Sequence, residues 1–202
     1  VLTELAGMRI KTISTPNFVM TKMTSADGDK YFRLSNNANV MKYVTGHALD
    51  RQESDSMLKS LLAEYGHDTY LGRYLIERRH SQELIGIAKL DRMEGEVEIG
   101  YRIMEEHWGK GIATEIAKGL IDFAAKNLKA EHVIAYVNVN NAASIRVLEK
   151  AGMMNVARIE DIDEVKFKFS CSPRSVSVAM KALYIILAIV VGLLTVGFMG
   201  LR

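Results

Sequence analysis

The stretch His107–Glu115, HWGKGIATE, most limits how this chain can fold. It joins an alternating segment, EVEIGYRIM (96–104), to a run whose apolar residues recur at helical spacing. The first pattern is that of a half-buried strand and the second that of a helix, so the chain must pass from strand to helix through two glycines one residue apart. The opening amides of a helix lack intrahelical acceptors, and the helix dipole places roughly half a positive charge there. Glycine at such a point removes the Cβ atoms that would hold a phosphate away. Gly109, Lys110, Gly111, Ile112, Ala113 and Thr114 are therefore the candidate anion-binding residues. A tight turn that binds nothing is the competing reading of the two glycines alone.

The rest of the chain supplies a mixed set of elements. Residues 17–23 read as a strand, 26–44 as a helix broken by Asn36, Asn37 and Asn39, and 49–66 as a second helix. Asp50 with Glu53 has capping-box spacing there, Met57, Leu58, Leu61 and Leu62 form its apolar face, and Gly66 is its expected stop. Two strands, 73–78 and 83–92, join through the polar turn RHSQ, and 96–104 makes a third, so an antiparallel meander is expected. Residues 111–128 form a helix with Ile112, Ile116, Leu120, Phe123 and Ala124 on one face. A strand at 132–139, a helix at 141–152 closed by Gly152, and strands at 155–159 and 165–170 complete the body. This order gives an α+β class, a sheet flanked by helices.

Other nucleotide-binding patterns fail. A phosphate loop of the GxxxxGK[ST] kind is excluded because Lys110 lies between the glycines. A dinucleotide fingerprint is excluded because Thr114 occupies its third position and MEEHW separates strand from glycines. Nucleic acid is not an expected partner: three of the 26 basic groups and none of the 24 acidic ones lie beyond residue 172, so the body is close to neutral. No Cys/His cluster has metal-ligand spacing, so no metal is expected. The lone Cys171 fits a reducing compartment.

IGYRIMEEHWGKGIATE followed by VNVNNAASIRVLEKAGM resembles the GNAT superfamily of N-acetyltransferases, most closely its branch of ribosomal-protein N-terminal (alanine/serine) acetyltransferases. The family turn, Q/R-x-x-G-x-G/A, falls on Trp108–Ala113, with tryptophan in place of the usual Gln or Arg. A second motif falls on Asn141, Ser144, Leu148-Glu149-Lys150 and Gly152, with Met153 where phenylalanine is usual. The resemblance runs from about Asn17 to Ser170. It implies a mostly antiparallel twisted sheet, with acetyl-CoA as acyl donor and its pyrophosphate on the glycine turn. Its pantetheine arm would lie beside Ile103 and Met104, between 96–103 and 132–139, and Asn141 would help fix it. Transfer to a primary amine, a protein N-terminus or a small molecule, would be direct.

Such a transfer requires a neutral amine, hence a base. Glu98 stands where relatives often place that carboxylate, and its neighbours Val97 and Ile99 suggest a partly desolvated site that would raise its pKa. Glu96 and Glu98 as a solvated strand face is the alternative. Many relatives carry a tyrosine at the position of Leu148 to protonate the departing thiolate; in its absence Ser144 is the candidate acid. Lys110 is expected to meet a phosphate or solvent, and Trp108 to pack beside the turn. Tyr43, His47, Tyr70 and Tyr74 mark the expected acceptor mouth, and the five histidines are expected at the surface. Neither the acceptor nor the oligomeric state is legible.

The C-terminal end differs in kind. Residues 182–201 run for twenty positions without a charge, long enough for a helix of roughly 30 Å, the thickness of a bilayer core. Residues 1–16 read as an N-terminal extension with a natural start at Met8, 17–172 as the acetyltransferase domain, 173–181 as a linker, and 182–201 as a membrane helix, a buried core helix being the competing reading. The charge bias would keep the domain cytoplasmic, on the inner face of the membrane. A catalytically inactive, membrane-tethered CoA-binding or sensing module is the alternative to an enzyme.

Overall fold

The computed structural model describes residues 11–66, 68–162 and 164–173. The apolar run 182–201 lies outside the described residues, among which no helix is long and apolar enough to cross a membrane. An eight-stranded sheet organises the chain: β1 (Thr12–Ser14), β2 (Phe18–Lys22), β3 (Gly72–Arg78), β4 (Leu84–Met93), β5 (Glu96–Ile103), β6 (Val133–Asn138), β7 (Met154–Glu160) and β8 (Val165–Cys171). Its spatial order is β1-β2-β3-β4-β5-β6-β8-β7, antiparallel throughout except for the parallel neighbours β5 and β6. The meander expected from 73–104 is present. Residues 12–14, expected within an N-terminal extension, are instead the edge strand β1, because their backbone pairs with Val19–Thr21.

Among the described residues five α-helices cover the sheet: α1 (Gly28–Ser35), α2 (Ala38–Met41), α3 (Arg51–Ala63), α4 (Ile112–Asn127) and α5 (Ala142–Lys150). The single helix expected over 26–44 is divided because the Asn37 side chain accepts from the amides of Asn39 and Val40 and starts α2 afresh. Asp50 and Glu53 form the expected capping box of α3, at 2.8 and 2.9 Å. That helix ends at Ala63, before Gly66. Beyond it, buried Lys22 donates to the carbonyls of Gly66, Thr69 and Leu71 at 2.6–2.8 Å, fastening the loop to β2.

Two apolar cores lie on opposite faces of the sheet. The larger joins Ile112, Ile116, Ala117, Leu120, Ile121 and Ala124 of α4, with Leu148 of α5, to Val97, Ile99 and Ile103 of β5 and Val133, Ala135 and Val137 of β6. The smaller joins Tyr31 and Leu34 of α1 and Leu58 of α3 to Leu75, Leu84 and Ile87. Strand β7, the outer edge, is exposed along its whole length.

The start of α4 is fixed to the far edge of the sheet. Glu115 accepts from the Thr15 hydroxyl at 2.6 Å, the Asn17 amide at 2.9 Å and the Asn17 side chain at 2.8 Å. One turn on, a Cβ at Gly119 would overlap the Thr15 methyl group, so glycine permits the close approach. Although partial burial of Glu115 pushes its pKa up, the bonds from Thr15 and Asn17 outweigh this and leave it below the ordinary value. A carboxyl depressed in the folded state stabilises at neutral pH, and that contribution is lost as pH falls through the folded pKa. Glu115→Gln is therefore expected to cost about 1 kcal/mol at pH 7 by urea unfolding, with the gap to the parent closing in acid. An equal gap at pH 7 and in acid would show that the carboxylate charge contributes nothing.

Candidate active site

Strands β5 and β6 begin together and then part. Their parallel pairing covers only Val97 with Val133 and Glu98 with Ile134. The Val97 amide reaches the His132 carbonyl at 3.2 Å, whereas the Met104 amide goes to the Ile85 carbonyl on β4 at 2.9 Å. Backbone polar groups alternate between the two edges of a strand, so the amides of Ile99, Tyr101 and Ile103 face β6. The Glu98–Ile134 pairing uses the Ile99 amide, and beyond it no β6 ladder meets those of Tyr101 and Ile103. An unpaired edge inside a sheet calls for another hydrogen-bonding partner. The Ile103 carbonyl is met by the Trp108 indole N–H at 2.8 Å, so the half-exposed Trp108 bonds as well as packs.

At the mouth of this opening lies the glycine turn. Gly109 and Gly111 have φ of 74° and 76°, in the left-handed region, and a Cβ on either would meet nothing within 4 Å. Conformation, rather than crowding within the protein, is what requires glycine here. Among the described residues the amides of Gly109, Lys110, Gly111, Ile112 and Ala113 find no acceptor. Two expected amide donors are already spent: Thr114 donates to the Gly111 carbonyl at 3.1 Å, and Met104 pairs with β4. The Lys110 ammonium donates to the Glu106 carbonyl at 2.8 Å, and its side chain is exposed to solvent.

At the closed end stands Glu98, 6% exposed, which overturns the solvated-face alternative. Its Oε1 is 2.5 Å from the ammonium of Lys89 on the neighbouring strand β4, a partner that no local sequence signal marks. On the other side of the opening, Asn141 caps α5 by accepting from the Ser144 amide at 3.1 Å. The Ser144 hydroxyl lies next to Tyr101, whose buried phenol oxygen has no hydrogen-bond partner at proper distance and angle. Burial pushes the Tyr101 pKa up to about 12, against a smaller lowering by Ser144, so the phenol keeps its proton at neutral pH. Tyr101 had only the signature of an apolar strand position.

Some expected residues are not brought together. Tyr43 crosses the opening, its hydroxyl donating to the Asn140 carbonyl at 3.0 Å, and His47 is exposed near Glu53. Tyr70 and Tyr74, expected beside them, lie on the opposite face: Tyr74 is in the larger core, and Tyr70 meets Phe123 of α4 at 4.9 Å. His107 is buried rather than at the surface, its Nδ1 without a partner. Burial pushes the Cys171 thiol up to about 11, which leaves it protonated and a poor nucleophile. A surface groove of about 770 Å³ along α4 shares Gly111 and Thr114 with the turn but does not include Glu98. Among the described residues no His, Cys, Asp and Glu group could hold a metal ion.

A parallel pair that opens beside a glycine turn, with a buried carboxylate at its closed end, defines a fold and site of the acyl-transferring kind. The family model described as Acetyltransferase (GNAT) domain matches residues 17–154, and the chain belongs to this family of acyltransferases. An uncharacterized N-acetyltransferase of Bacillus subtilis, YoaA, is 31% identical over 147 residues, 69% of this chain and 81% of its own length. A GNAT-family acetyltransferase structure from Bacillus anthracis superposes with a TM-score of 0.71 at 18% identity, covering 81% of this chain and 99% of that one. The ribosomal L7/L12 alpha-N-protein acetyltransferase RimL, solved with coenzyme A, gives 0.69 at 15% identity, covering 80% and 98%.

Because Gly111 holds a left-handed conformation, Gly111→Ala is expected to lower stability by about 1–2 kcal/mol in urea unfolding. An unchanged midpoint would mean that the turn relaxes without cost.

Proposed function

We propose that the chain moves an acetyl group from acetyl-CoA directly to a primary amine, a protein N-terminus or a small-molecule amine. One observation carries this reading: an unpaired β5 edge runs from a turn of free amides to a buried carboxylate. The donor fits the residues present. The amides of Gly109, Lys110, Gly111, Ile112 and Ala113 would receive its pyrophosphate, and those of Tyr101 and Ile103 its extended arm, beside Asn141. The orphaned Tyr101 phenol gains a polar neighbour in such a complex.

The residues then divide the proton work. Glu98 takes the proton from the incoming amine, and burial keeps water from competing for it. A backbone amide on the open β5 edge supports the carbonyl oxygen as charge gathers there. Ser144 supplies a proton to the departing sulfur. Tyr101, neutral and adjacent, steadies the Ser144 hydroxyl. The absence of a tyrosine at Leu148 is thereby met from the facing strand, since Leu148 is itself buried in the core. The uncharged run 182–201 further supports a membrane tether that holds this domain at the cytoplasmic face. Cell fractionation of the full chain and of one ending at Ser172 tests the tether: the full chain should sediment with membranes and the shorter one should not. Equal partition of the two would end that reading.

Acetyl-CoA or CoA at about 100 times its dissociation constant should add roughly 2.7 kcal/mol, a rise of several degrees in the melting temperature, and NADH should add none. With a panel of amines, Glu98→Gln should then lower kcat about 100-fold near neutral pH. Turnover that survives the substitution intact would remove Glu98 from the base role. Binding without turnover of any amine would favour the inactive sensing module.

A further inference from the structure

Glu98 already holds an amine. The Lys89 ammonium lies 2.5 Å from Glu98 Oε1 and 3.3 Å from Asp91 Oδ2. Asp91 is also paired with Arg73, which continues to Glu64 at 2.6 Å, so Glu98 is the partner that depends on Lys89. The placement is built into the sheet. Lys89 of β4 stands directly opposite Gly100 of β5, and a Cβ at Gly100 would come within 2.8 Å of Lys89 Cγ and Cε. Glycine at position 100 thus lets the lysine stem lie flat across β5 toward Glu98. Because Glu98 is the last β5 residue paired with β6, the Lys89 amine is held at the closed end of the opening.

We infer that Lys89 is a self-acetylation site of this enzyme, an inference that rests on acetyl-CoA as donor and Glu98 as base. A donor whose phosphates sit at the glycine turn and whose arm follows β5 brings its thioester toward the closed end, where the Lys89 amine waits. The ammonium first gives a proton to Glu98. The freed Nζ attacks the thioester carbonyl carbon, the C–N bond forms and the C–S bond breaks. The second nitrogen proton leaves as the amide forms. In total one proton reaches the sulfur, giving free CoA, and one passes to solvent. The product amide carries no charge, so acetylation also strips Glu98 of its cation.

Other lysines are placed differently. Lys22 is committed to three carbonyls, Lys30 pairs with Glu77, and Lys168 pairs with Glu96 in the closed part of the sheet. Lys59 and Lys150 are exposed and serve as references for uncatalysed acetylation.

The test incubates the full chain with acetyl-CoA and no added amine, and follows acetylation of each lysine by peptide mass spectrometry. Lys89 should be modified at least tenfold faster than Lys59 and Lys150, with a rate constant independent of protein concentration. Glu98→Gln should slow Lys89 about 100-fold and leave Lys59 and Lys150 unchanged. Thermal unfolding with acetyl-CoA runs in parallel on both proteins. A melting rise without preferential modification of Lys89 overturns the self-acetylation while the donor reading stands. Absence of any rise overturns the donor reading itself. Modification of Lys89 at a rate that scales with protein concentration, or that survives Glu98→Gln, also overturns the inference.

Discussion

The parting of β5 from β6 after two residue pairs is the constraint on which the remaining architecture depends. A continuous parallel ladder would satisfy every strand amide and leave no room between the two halves of the sheet. By ending at Glu98 and Ile134, the ladder leaves one edge of β5 open while the other stays paired with β4 as far as Ile103. The same event places a carboxylate at the closed end and a helix start at the open end. Gly86 contributes on the paired side, since a Cβ there would overlap the Arg102 carbonyl. The β4 backbone can therefore press against β5 at the mouth of the opening.

A helix whose first turn binds ligand must not shift along its axis, and α4 is fixed at both depth and height. Depth is set by Ile112, Ile116 and Leu120 in the larger core. Height is set by Glu115, held by Thr15 and Asn17, and by the contact that Gly119 allows. The threonine-glutamate bond joins residues a hundred positions apart and secures β1 and α4 together. Edge strand and ligand-facing turn therefore share one anchor.

Local patterns made most of the fold legible. Alternation gave β5, helical spacing gave α4, and the Asp50–Glu53 box fixed the start of α3. What escaped depended on contacts between distant segments. Asn37 looked like a breaker and is the cap of a new helix, a distinction that only its bonds to Asn39 and Val40 reveal. Met104 and Thr114 lie within the right motifs, yet their amides are used by β4 and by Gly111, which depends on strand phase and turn geometry. Tyr70 and Tyr74 fell on the wrong face because each strand's side was unknown before its pairing. Lys89 could not be seen at Glu98, since the contact follows from the β4–β5 register and from the missing side chain at Gly100. Tyr101 was hidden for a further reason: its ring buries like any apolar strand residue, and only its hydroxyl sets it apart.

The glycine turn presents dipoles rather than ions. Its one lysine, Lys110, faces the Glu106 carbonyl, and the nearby Glu115 is an anion inside the first turn of α4. Long-range attraction of an anionic ligand needs a surplus of whole charges, which creates a field over many ångströms. Backbone amides act only near contact, where hydrogen-bond direction decides. A ligand therefore meets this turn by diffusion and is sorted on arrival by the spacing of its phosphate oxygens. Its rate of association should then depend little on ionic strength, and its retention should depend on how well those oxygens match five fixed N–H groups.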